Sequence, residues 1–450
     1  MARPHAAATS APFEASCPLC GLEPPAVRLD EETERLVQAN TPGWRRGDAV
    51  CSDCARRFVH ARAYMRSHSA TAGLPPILPT PIRLGASERF RGRGVTIAFL
   101  DAGFYAHPDL VEPRDRIRAY VDVTNPRARR ADLTQPDESS WHGMMTSVVA
   151  CGNGRLSGGL YRGLASEADL VLVKCGSARR VAHDDIRRGL DWVTRNQRRL
   201  GIRIVNVSVG GDYEASYLED GLSQAAERAT RHGLLVCAAI GNLGHTQRHA
   251  VLPPASAPSV LTVGGLDDQS RLAFAAYGLY HSSYGPTIDG LQKPEVVAPG
   301  IYVPAPILPG TPTHAQARLL ALLTEAREAE LRPLIAAHPG VDPALDAAQG
   351  LEPALIRQLV EARARDHNVV SGHYKHVDGT SFASPIVAGL AALLLEARPR
   401  LRPQELKRIL IETARRIPGV AVDRQGWGVV DPRRAILEAL RRNRATRARD

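Results

Sequence analysis

Short apolar runs rich in β-branched residues alternate with helix-like stretches through the middle of this 450-residue chain. Runs without polar alternation are typical of parallel strands buried on both faces, because crossover helices cover the two sides of such a sheet. We therefore expect an α/β fold in which a central, mostly parallel sheet lies between two helical layers. The runs are 95–100, 170–173, 204–209, 234–240 and 259–263, and the helix-like stretches between them include 184–199 and 216–232.

The stretch 379–385, Gly-Thr-Ser-Phe-Ala-Ser-Pro, precedes small and apolar residues and predicts a helix that begins at a turn. Gly379 lets a substrate backbone approach, and Pro385 is tolerated in a first helical turn or at a kink. The hydroxyl of Ser381 can then point into a cleft as a nucleophile. A serine is a weak nucleophile at neutral pH, so this interpretation requires a base, an orienting carboxylate and oxyanion donors elsewhere.

Three residues at the ends of predicted elements supply these groups. Asp101 follows the run 95–100, and open α/β sheets place functional side chains at the carboxyl ends of their strands. His142 begins a stretch of small, apolar residues that predicts a packed helix, and Asn242 follows the run 234–240. We expect His142 to be the base, Asp101 to hold its imidazole and the Asn242 amide to donate to an oxyanion.

Taken alone, each of these signals has an ordinary structural explanation. Asp and Gly favour turns, Asn-x-Gly is a loop pattern, and Gly-Thr-Ser can simply begin a capped helix. The joint occurrence of the four residues in the order Asp, His, Asn, Ser favours catalysis. His107 is a competing base close to Asp101 in sequence, but its His-Pro dipeptide predicts a turn.

With these motifs the chain resembles the subtilisin-like serine peptidases, the subtilase family, over roughly residues 85–440. The resemblance implies a subtilisin-like three-layer sandwich with Asp101, His142 and Ser381 as the catalytic triad. It also implies that Asn242 and the backbone N–H of Ser381 form the oxyanion hole. The matching motifs are DAG at 101–103, HPDL at 107–110, HG at 142–143, NVSVGG at 206–211, AIGN at 239–242, PEVVAPG at 294–300 and GTSFASP at 379–385.

Two positions depart from the family pattern without removing a reacting group. Ala102 stands where Ser or Thr is usual, and Met144 stands where Thr is common. A related family, the sedolisins, uses a glutamate in place of the histidine, so His142 places the chain with the subtilases. A histidine base, with an ordinary pKa of about 6.5, predicts activity that rises toward neutral and mildly alkaline pH.

The resemblance further implies an endopeptidase acting on a peptide or protein substrate. In the family, one segment pairs with the extended substrate as an added strand. A second segment forms the opposite wall of the pocket for the substrate residue that precedes the scissile bond. Calcium is a frequent ligand in the family, but this chain offers no unambiguous ligand set. The predicted substrate-binding residues are Ser208, Val209 and Gly210 in the first segment, and Ala239, Ile240 and Gly241 in the second.

Two Cys-x-x-Cys pairs near the N-terminus predict a structural zinc site. Four thiolates in such pairs match a tetrahedral zinc centre and resemble a treble-clef module. The metal would replace the core that so short and polar a segment lacks. Two disulfides or unligated thiols are the alternative. The predicted ligands are Cys17, Cys20, Cys51 and Cys54.

Arginine is frequent in the predicted zinc module and in the tail, and the whole chain has a formal net charge of +10. A basic module can bind nucleic acid, but a solvated surface or a docking site for a protein partner explains the charge equally well. Two functions therefore remain open beside the endopeptidase. One is a catalytically silent subtilase fold that binds peptides or partners, and the other is a regulatory protease targeted by its zinc module.

The predicted organisation places a helical insertion at about 311–368, directly before the Ser381 motif. We expect it to pack at the rim of the active site, where it would gate substrate entry or dock a partner, although a remote helical hairpin is the alternative. No window reaches the roughly 20 apolar residues that span a bilayer, and residues 1–15 lack the apolar core of a signal peptide. We therefore expect a cytoplasmic protein without a membrane partner. The predicted parts are a zinc module at 1–70, a linker at 71–90, a peptidase domain at 91–440 and a basic tail at 441–450.

Overall fold

The computed structural model describes residues 16–21, 23–41, 43–68, 76–247, 249–273 and 277–447. The chain divides into two compact units, Met1–Ala63 and Tyr64–Asp450. The strands are β1 Thr96–Asp101, β2 Ile117–Asp122, β3 Asp169–Lys174, β4 Ile202–Val207, β5 Leu235–Ala239, β6 Leu261–Asp267, β7 Gly278–Leu279, β8 Val296–Pro299, β9 Val303–Pro306, β10 Val369–Ser371 and β11 Tyr374–Val377. The helices are α1 Glu31–Asn40, α2 Ser52–His68, α3 Thr80–Leu84, α4 Pro108–Val111, α5 Ser140–Cys151, α6 His183–Leu200, α7 Gly221–Arg231, α8 Pro312–Glu325, α9 Glu328–Ala336, α10 Pro343–Ala347, α11 Pro353–Asp366, α12 Thr380–Ala397, α13 Pro403–Glu412, α14 Val422–Gln425 and α15 Pro432–Arg447, with short 3-10 turns at Arg130–Thr134 and Arg155–Ser157.

The N-terminal unit is built around α1, the first turns of α2 and an antiparallel bridge between Val27 and Val50. Asp30 caps α1 by accepting a hydrogen bond from the backbone N–H of Thr33 at 2.9 Å. The buried side chains of the N-terminal unit include Val37, Val50 and three of the four cysteines. The cysteines are therefore a substantial part of the interior that this unit can form.

A twisted sheet forms the centre of the larger unit, with strand order β2-β3-β1-β4-β5-β6-β7 and with β8 also paired to β6. Every pairing in this sheet is parallel except that of β6 with β7. Parallel strands need long crossover connections, and α5, α6 and α7 provide them. The predicted mostly parallel sheet is confirmed.

Side chains of β1 alternate between two apolar cores, because successive residues of a strand point to opposite faces. Ile97 and Phe99 belong to the core that includes α5 and α12, whereas Ala98 and Leu100 belong to the core that includes α6 and α7. All four side chains are fully buried. The two cores explain why the run lacks polar alternation, and the predicted three-layer arrangement is confirmed.

Helix α12 is the apolar helix of the first core and packs against β4, β5 and β6. By length and composition it is apolar enough to cross a membrane, which the sequence analysis did not anticipate. However, 83% of this helix is buried inside the protein, as expected of a core helix.

The order of the strands creates the crevice in which polar groups meet. The strands β3 and β2 lie on one side of β1 in the sheet. The strands β4 and β5, which come later in the chain, lie on the other side. Open sheets bind ligands outside the carboxyl ends of strands where the direction of winding reverses. Asp101 ends β1 at this position.

Helices α8 to α11 form the insertion and enclose an apolar core of their own. Leu320, Leu323, Ile356 and Val360 are fully buried within it. A small antiparallel sheet joins β10 and β11, which follow the insertion, to β9, which precedes it, and β11 leads through residues 378–379 into α12. The gating role of the insertion stays a prediction.

Part of the predicted linker is folded onto the larger unit. Residues 71–75 lie outside the described residues, but α3 follows within the same stretch. Arg83 is buried, forms an ion pair with Asp268 and donates hydrogen bonds to the carbonyl oxygens of Ile301 and Tyr302. This ion pair fixes the chain immediately before the first strand.

Candidate active site

Asp101 is fully buried at the end of β1 and accepts three hydrogen bonds. Its Oδ1 accepts from the backbone N–H of Ala102 at 2.8 Å and lies 2.7 Å from Nδ1 of His142. Its Oδ2 accepts from the hydroxyl of Thr146 at 3.1 Å. These partners direct the carboxylate toward the imidazole.

His142 lies in the first turn of α5, and its side chain is 20% exposed. Burial alone would lower the pKa of His142, but the charge of Asp101 and the hydrogen bond between them raise it above its ordinary value. The ring centroid lies 5.2 Å from that of Trp141 and 5.8 Å from that of Phe382, which follows Ser381. The imidazole is therefore placed between the end of β1 and the start of α12.

Gly143 permits this approach of α5 to β1. A Cβ atom at this position would overlap the carbonyl oxygen of Gly103 and lie 2.9 Å from the Cβ of Asp101. Sterics therefore explain why a glycine follows His142, since any side chain at position 143 would push His142 away from the carboxylate.

Ser381 is the second residue of α12. Its hydroxyl donates to the carbonyl oxygen of Ser208 at 3.2 Å, and the hydroxyl of Ser208 donates to the carbonyl oxygen of Ser381 at 2.8 Å. Within the described part of the chain, no hydrogen bond joins Ser381 to His142. The structure brings the imidazole to the helix start that carries Ser381, while the hydroxyl points to Ser208.

Asn242 follows β5 and faces the same helix start. Its side-chain oxygen accepts from both the backbone N–H and the hydroxyl of Thr380, each at 3.0 Å. These two bonds fix the orientation of the amide and leave its NH₂ group as the available donor. The backbone N–H of Ser381 lies in the first turn of α12, where N–H groups have no partner within the helix.

The profile of the subtilase family matches residues 92–428 of the chain. The chain belongs to the subtilase family. It is 30% identical to serine protease AprX of Bacillus subtilis (strain 168) over 378 residues, covering 80% of this chain and 70% of AprX. It is also 31% identical to subtilisin BL of Lederbergia lenta over 215 residues, covering 47% of this chain and 66% of that protein.

Solved structures share the subtilase fold with this chain. A protease from Pseudoalteromonas arctica PAMC 21717 superposes with a TM-score of 0.53 at 21% identity, covering 84% of this chain and 97% of the other. Fervidolysin from Fervidobacterium pennivorans, a keratinolytic enzyme related to subtilisin, also gives a TM-score of 0.53, at 22% identity over 79% of this chain and 45% of its own. The predicted subtilisin-like fold and enzyme class, a serine peptidase, are confirmed.

The two predicted substrate segments of this subtilase lie next to each other. Residues 208–210 follow β4 and residues 239–241 begin at the last residue of β5, and these strands pair in parallel with Val207 opposite Ala238. Ile240 is only 2% exposed, so this segment offers mainly backbone to a ligand. Gly241 has a φ of 106°, a left-handed conformation that favours glycine.

His107 is not placed to serve as the base. Its Nδ1 accepts a hydrogen bond from the backbone N–H of Asp109 at 3.2 Å and so caps α4. Burial, with smaller effects of His373 and His314, lowers the pKa of His107 to about 3. It therefore stays neutral and structural over the working range of an enzyme.

Residues that sequence reasoning missed hold the reacting groups in place. Thr146 lies four residues after His142 on the same helical face, so its spacing was a usable signal. Asn206 donates to the hydroxyl of Ser208 at 2.9 Å and accepts from the hydroxyl of Ser384 at 2.8 Å. This second contact joins segments 178 residues apart, which the sequence did not reveal.

The four predicted zinc ligands come together in the N-terminal unit. Their sulfur atoms all lie within 4.8 Å of one another, and those of Cys20 and Cys51 are 3.8 Å apart. That distance is too long for a disulfide but equals the edge of about 3.8 Å of a tetrahedron with Zn–S bonds of about 2.3 Å. The backbone N–H of Cys51 donates to the sulfur of Cys17 at 3.3 Å. The donor set therefore fits a zinc ion.

Proposed function

We propose that this subtilase is a serine endopeptidase in which Asp101, His142 and Ser381 form the triad. The hydrogen bond of 2.7 Å between Asp101 and Nδ1 of His142 is the observation that carries the proposal. It fixes the tautomer in which Nε2 is the free, basic nitrogen. Since the imidazole also lies beside Phe382, this nitrogen is available to the neighbouring serine.

The reaction begins when the Ser381 side chain rotates from the Ser208 carbonyl toward His142. Catalytic hydrogen bonds are often long or misaligned without substrate and tighten in the complex. His142 takes the hydroxyl proton as the oxygen attacks the scissile carbonyl, and then protonates the leaving amine. His142 then takes a proton from a water molecule as the water attacks the acyl group, which releases that group from Ser381.

Negative charge on the carbonyl oxygen is stabilised by the NH₂ group of Asn242 and the backbone N–H of Ser381. Thr380 holds the Asn242 oxygen, so the donor is oriented before the substrate arrives. Substrate binding is proposed to use residues 208–210 and 239–241 as two strands around an extended peptide. The substrate would be a peptide or protein, as expected for a subtilase.

Labelling with a fluorophosphonate tests the nucleophile. Wild-type protein should be labelled once and should cleave an internally quenched peptide blocked at both ends, which only an endopeptidase can cut. Ser381→Ala should abolish both, whereas Ser384→Ala should keep the label because that hydroxyl is bonded to Asn206. A folded wild-type protein without label or cleavage would leave a catalytically silent binding protein as the function.

We also propose that Cys17, Cys20, Cys51 and Cys54 hold a structural zinc ion. The metal would crosslink the turn of the first pair to the start of α2 and would take no part in peptide hydrolysis. Metal analysis should find about one zinc per chain, lost in Cys17→Ser and retained in Cys151→Ala, whose sulfur lies in the apolar core. Equal zinc in both variants would refute the site.

The zinc module is proposed to dock a protein partner, with nucleic-acid binding as the alternative. Several of its arginines are already ion-paired: Arg46 with Glu34, Arg56 with Asp53, and Arg62 with Asp30. These pairs reduce the charge available to phosphates. An electrophoretic shift assay of Ser381→Ala protein with oligonucleotides decides between them.

A cytoplasmic location is a further prediction, and cell fractionation tests it.

A further inference from the structure

A cavity of about 600 Å³ lies at the amino-terminal ends of β1 and β3. Asp101 is at the opposite end of β1, about 17 Å away along a six-residue strand. Arginine outnumbers carboxylate two to one in the lining, and the remaining lining residues are small or polar. The charged residues are Arg91, Arg93, Arg114, Arg116, Glu167 and Asp169.

Arg116 is the unusual member of this lining. It is 4% exposed, and its guanidinium donates to the carbonyl oxygens of Ala168 at 2.9 Å and Asp109 at 2.6 Å. Among the described residues no carboxylate forms an ion pair with it. A buried guanidinium paired only with neutral oxygens is costly, and burial lowers the pKa of Arg116. Three of its five N–H donors are left for another partner.

The carboxylates of the cavity do not neutralise the surrounding arginines. Asp169 is shared between Arg114 at 2.9 Å and Arg118 at 3.0 Å, while Glu167 is paired with Arg93 at 2.7 Å. Two guanidinium groups on one carboxylate leave an excess of positive charge. This excess adds to the charge of the buried arginine.

Ser166 gives a second, independent indication of a ligand. It lines the same cavity and is 5% exposed, yet its hydroxyl has no hydrogen-bond partner among the described residues. Buried hydroxyl groups are normally satisfied. Because the hydroxyl oxygen itself is shielded, a rotation of the Ser166 side chain would let an oxyanion in the cavity accept from this hydroxyl and from the guanidinium groups together.

We propose that this cavity binds a small phosphate anion of the pyrophosphate or short polyphosphate class, held by Arg114, Arg116 and Ser166. Guanidinium groups match the geometry of phosphate oxygens, and a lining almost without apolar side chains favours a compact, highly charged ligand. The anion would connect the segments that begin β1 and β3. It would therefore stabilise the fold without contacting the catalytic groups.

Isothermal titration calorimetry of the full chain carrying Ser381→Ala, which prevents self-digestion, tests the proposal with inorganic pyrophosphate. We expect saturable binding, an increase in the midpoint of thermal unfolding and an affinity reduced about tenfold in Arg114→Gln. Arg116→Gln should abolish binding. If Arg116→Gln fails to fold, the comparison of Arg114→Gln with the wild-type site still tests the proposal. Arg327→Gln is the matched control, because Arg327 is an exposed, ion-paired arginine of the insertion.

Three results would overturn the proposal. One is the absence of binding at millimolar pyrophosphate. Another is an affinity of Arg114→Gln equal to that of Arg327→Gln. The third is malonate binding as tightly as pyrophosphate, since this would show a general attraction for dianions rather than a phosphate site.

Discussion

Two of the aspartate–histidine pairs among the described residues behave in opposite ways. In the first, Asp101 and His142 are joined by a hydrogen bond of 2.7 Å, and the imidazole reaches solvent. In the second, His107 and Asp109 are both fully buried, and Nδ1 of His107 lies 3.8 Å from Oδ1 of Asp109. The same residue types therefore occur in a proposed base and in a structural contact.

The partners of each pair explain the difference. The Asp101 carboxylate raises the pKa of His142, whereas burial lowers that of His107 to about 3. Asp109 accepts hydrogen bonds from Tyr374 and from the backbone N–H of Leu156, and burial raises its pKa. A carboxylate activates an imidazole only when it contacts the ring directly and the opposite ring nitrogen remains accessible.

The largest expected effect separates the two histidines. His142→Ala should lower kcat by about 10⁶-fold, because loss of the histidine disables a subtilisin-type triad. His107→Asn should leave kcat nearly unchanged, since asparagine also caps helices, and should lower the free energy of unfolding by about 1–3 kcal/mol. Peptide hydrolysis and urea denaturation measure these effects. If folded His107→Asn were as inactive as His142→Ala, the comparison would be wrong.

The next effect concerns the carboxylate of the first pair. Asp101→Asn should lower kcat by about 10⁴-fold, because the amide favours the wrong imidazole tautomer. The acid limb of the pH–rate profile should also move to lower pH, since both influences that raise the pKa of His142 are removed. Asp109→Asn, in the second pair, should leave that limb in place. Equal movement in both variants would contradict the assignment.

A smaller loss is expected from the oxyanion donor. Asn242→Leu should lower kcat by about 10²–10³-fold with little change in KM, because its amide acts on charge that develops in the transition state. Thr380→Val keeps that amide and removes only one hydrogen bond to it, so its loss should be smaller. Steady-state kinetics with one peptide compare the variants. A change confined to KM would instead indicate a role in ground-state binding.

The pH dependence of the wild type gives the smallest effect. Attack requires neutral His142, so kcat/KM should fall about tenfold per pH unit below the pKa of this group. Because that pKa is raised, the decline should begin above the ordinary histidine value of about 6.5. His107 stays neutral over this range and contributes nothing. Activity that is flat down to pH 5 would exclude His142 as the base.

Sequence reasoning located residues whose position follows from one element. Asp101 and Asn242 follow buried strands, and the carboxyl ends of parallel strands meet at one edge of a sheet. The Ser381 hydroxyl direction could not be predicted, because its partner is a carbonyl oxygen 173 residues away in sequence. The Arg83–Asp268 ion pair was hidden for the same reason, with a separation of 185 residues.

The apolar residues around helix α11 differ in burial. Ile356 and Val360 are buried as expected, but Leu351 and Leu355 are 44% and 48% exposed. Helix α11 begins at Pro353, so Leu351 precedes it and cannot share its face. A helical period read from residue 351 would therefore run past the proline that begins the helix.

The attachment of Ser381 to α12 has a consequence for quality control in the cell. This helix runs through the main apolar core, so the hydroxyl proposed as the nucleophile is carried by an element whose position depends on that core. A damaged or half-folded copy would lose the alignment of its nucleophile together with its packing. Misfolded molecules of this protease should therefore be harmless to their neighbours, because cleavage requires an intact interior.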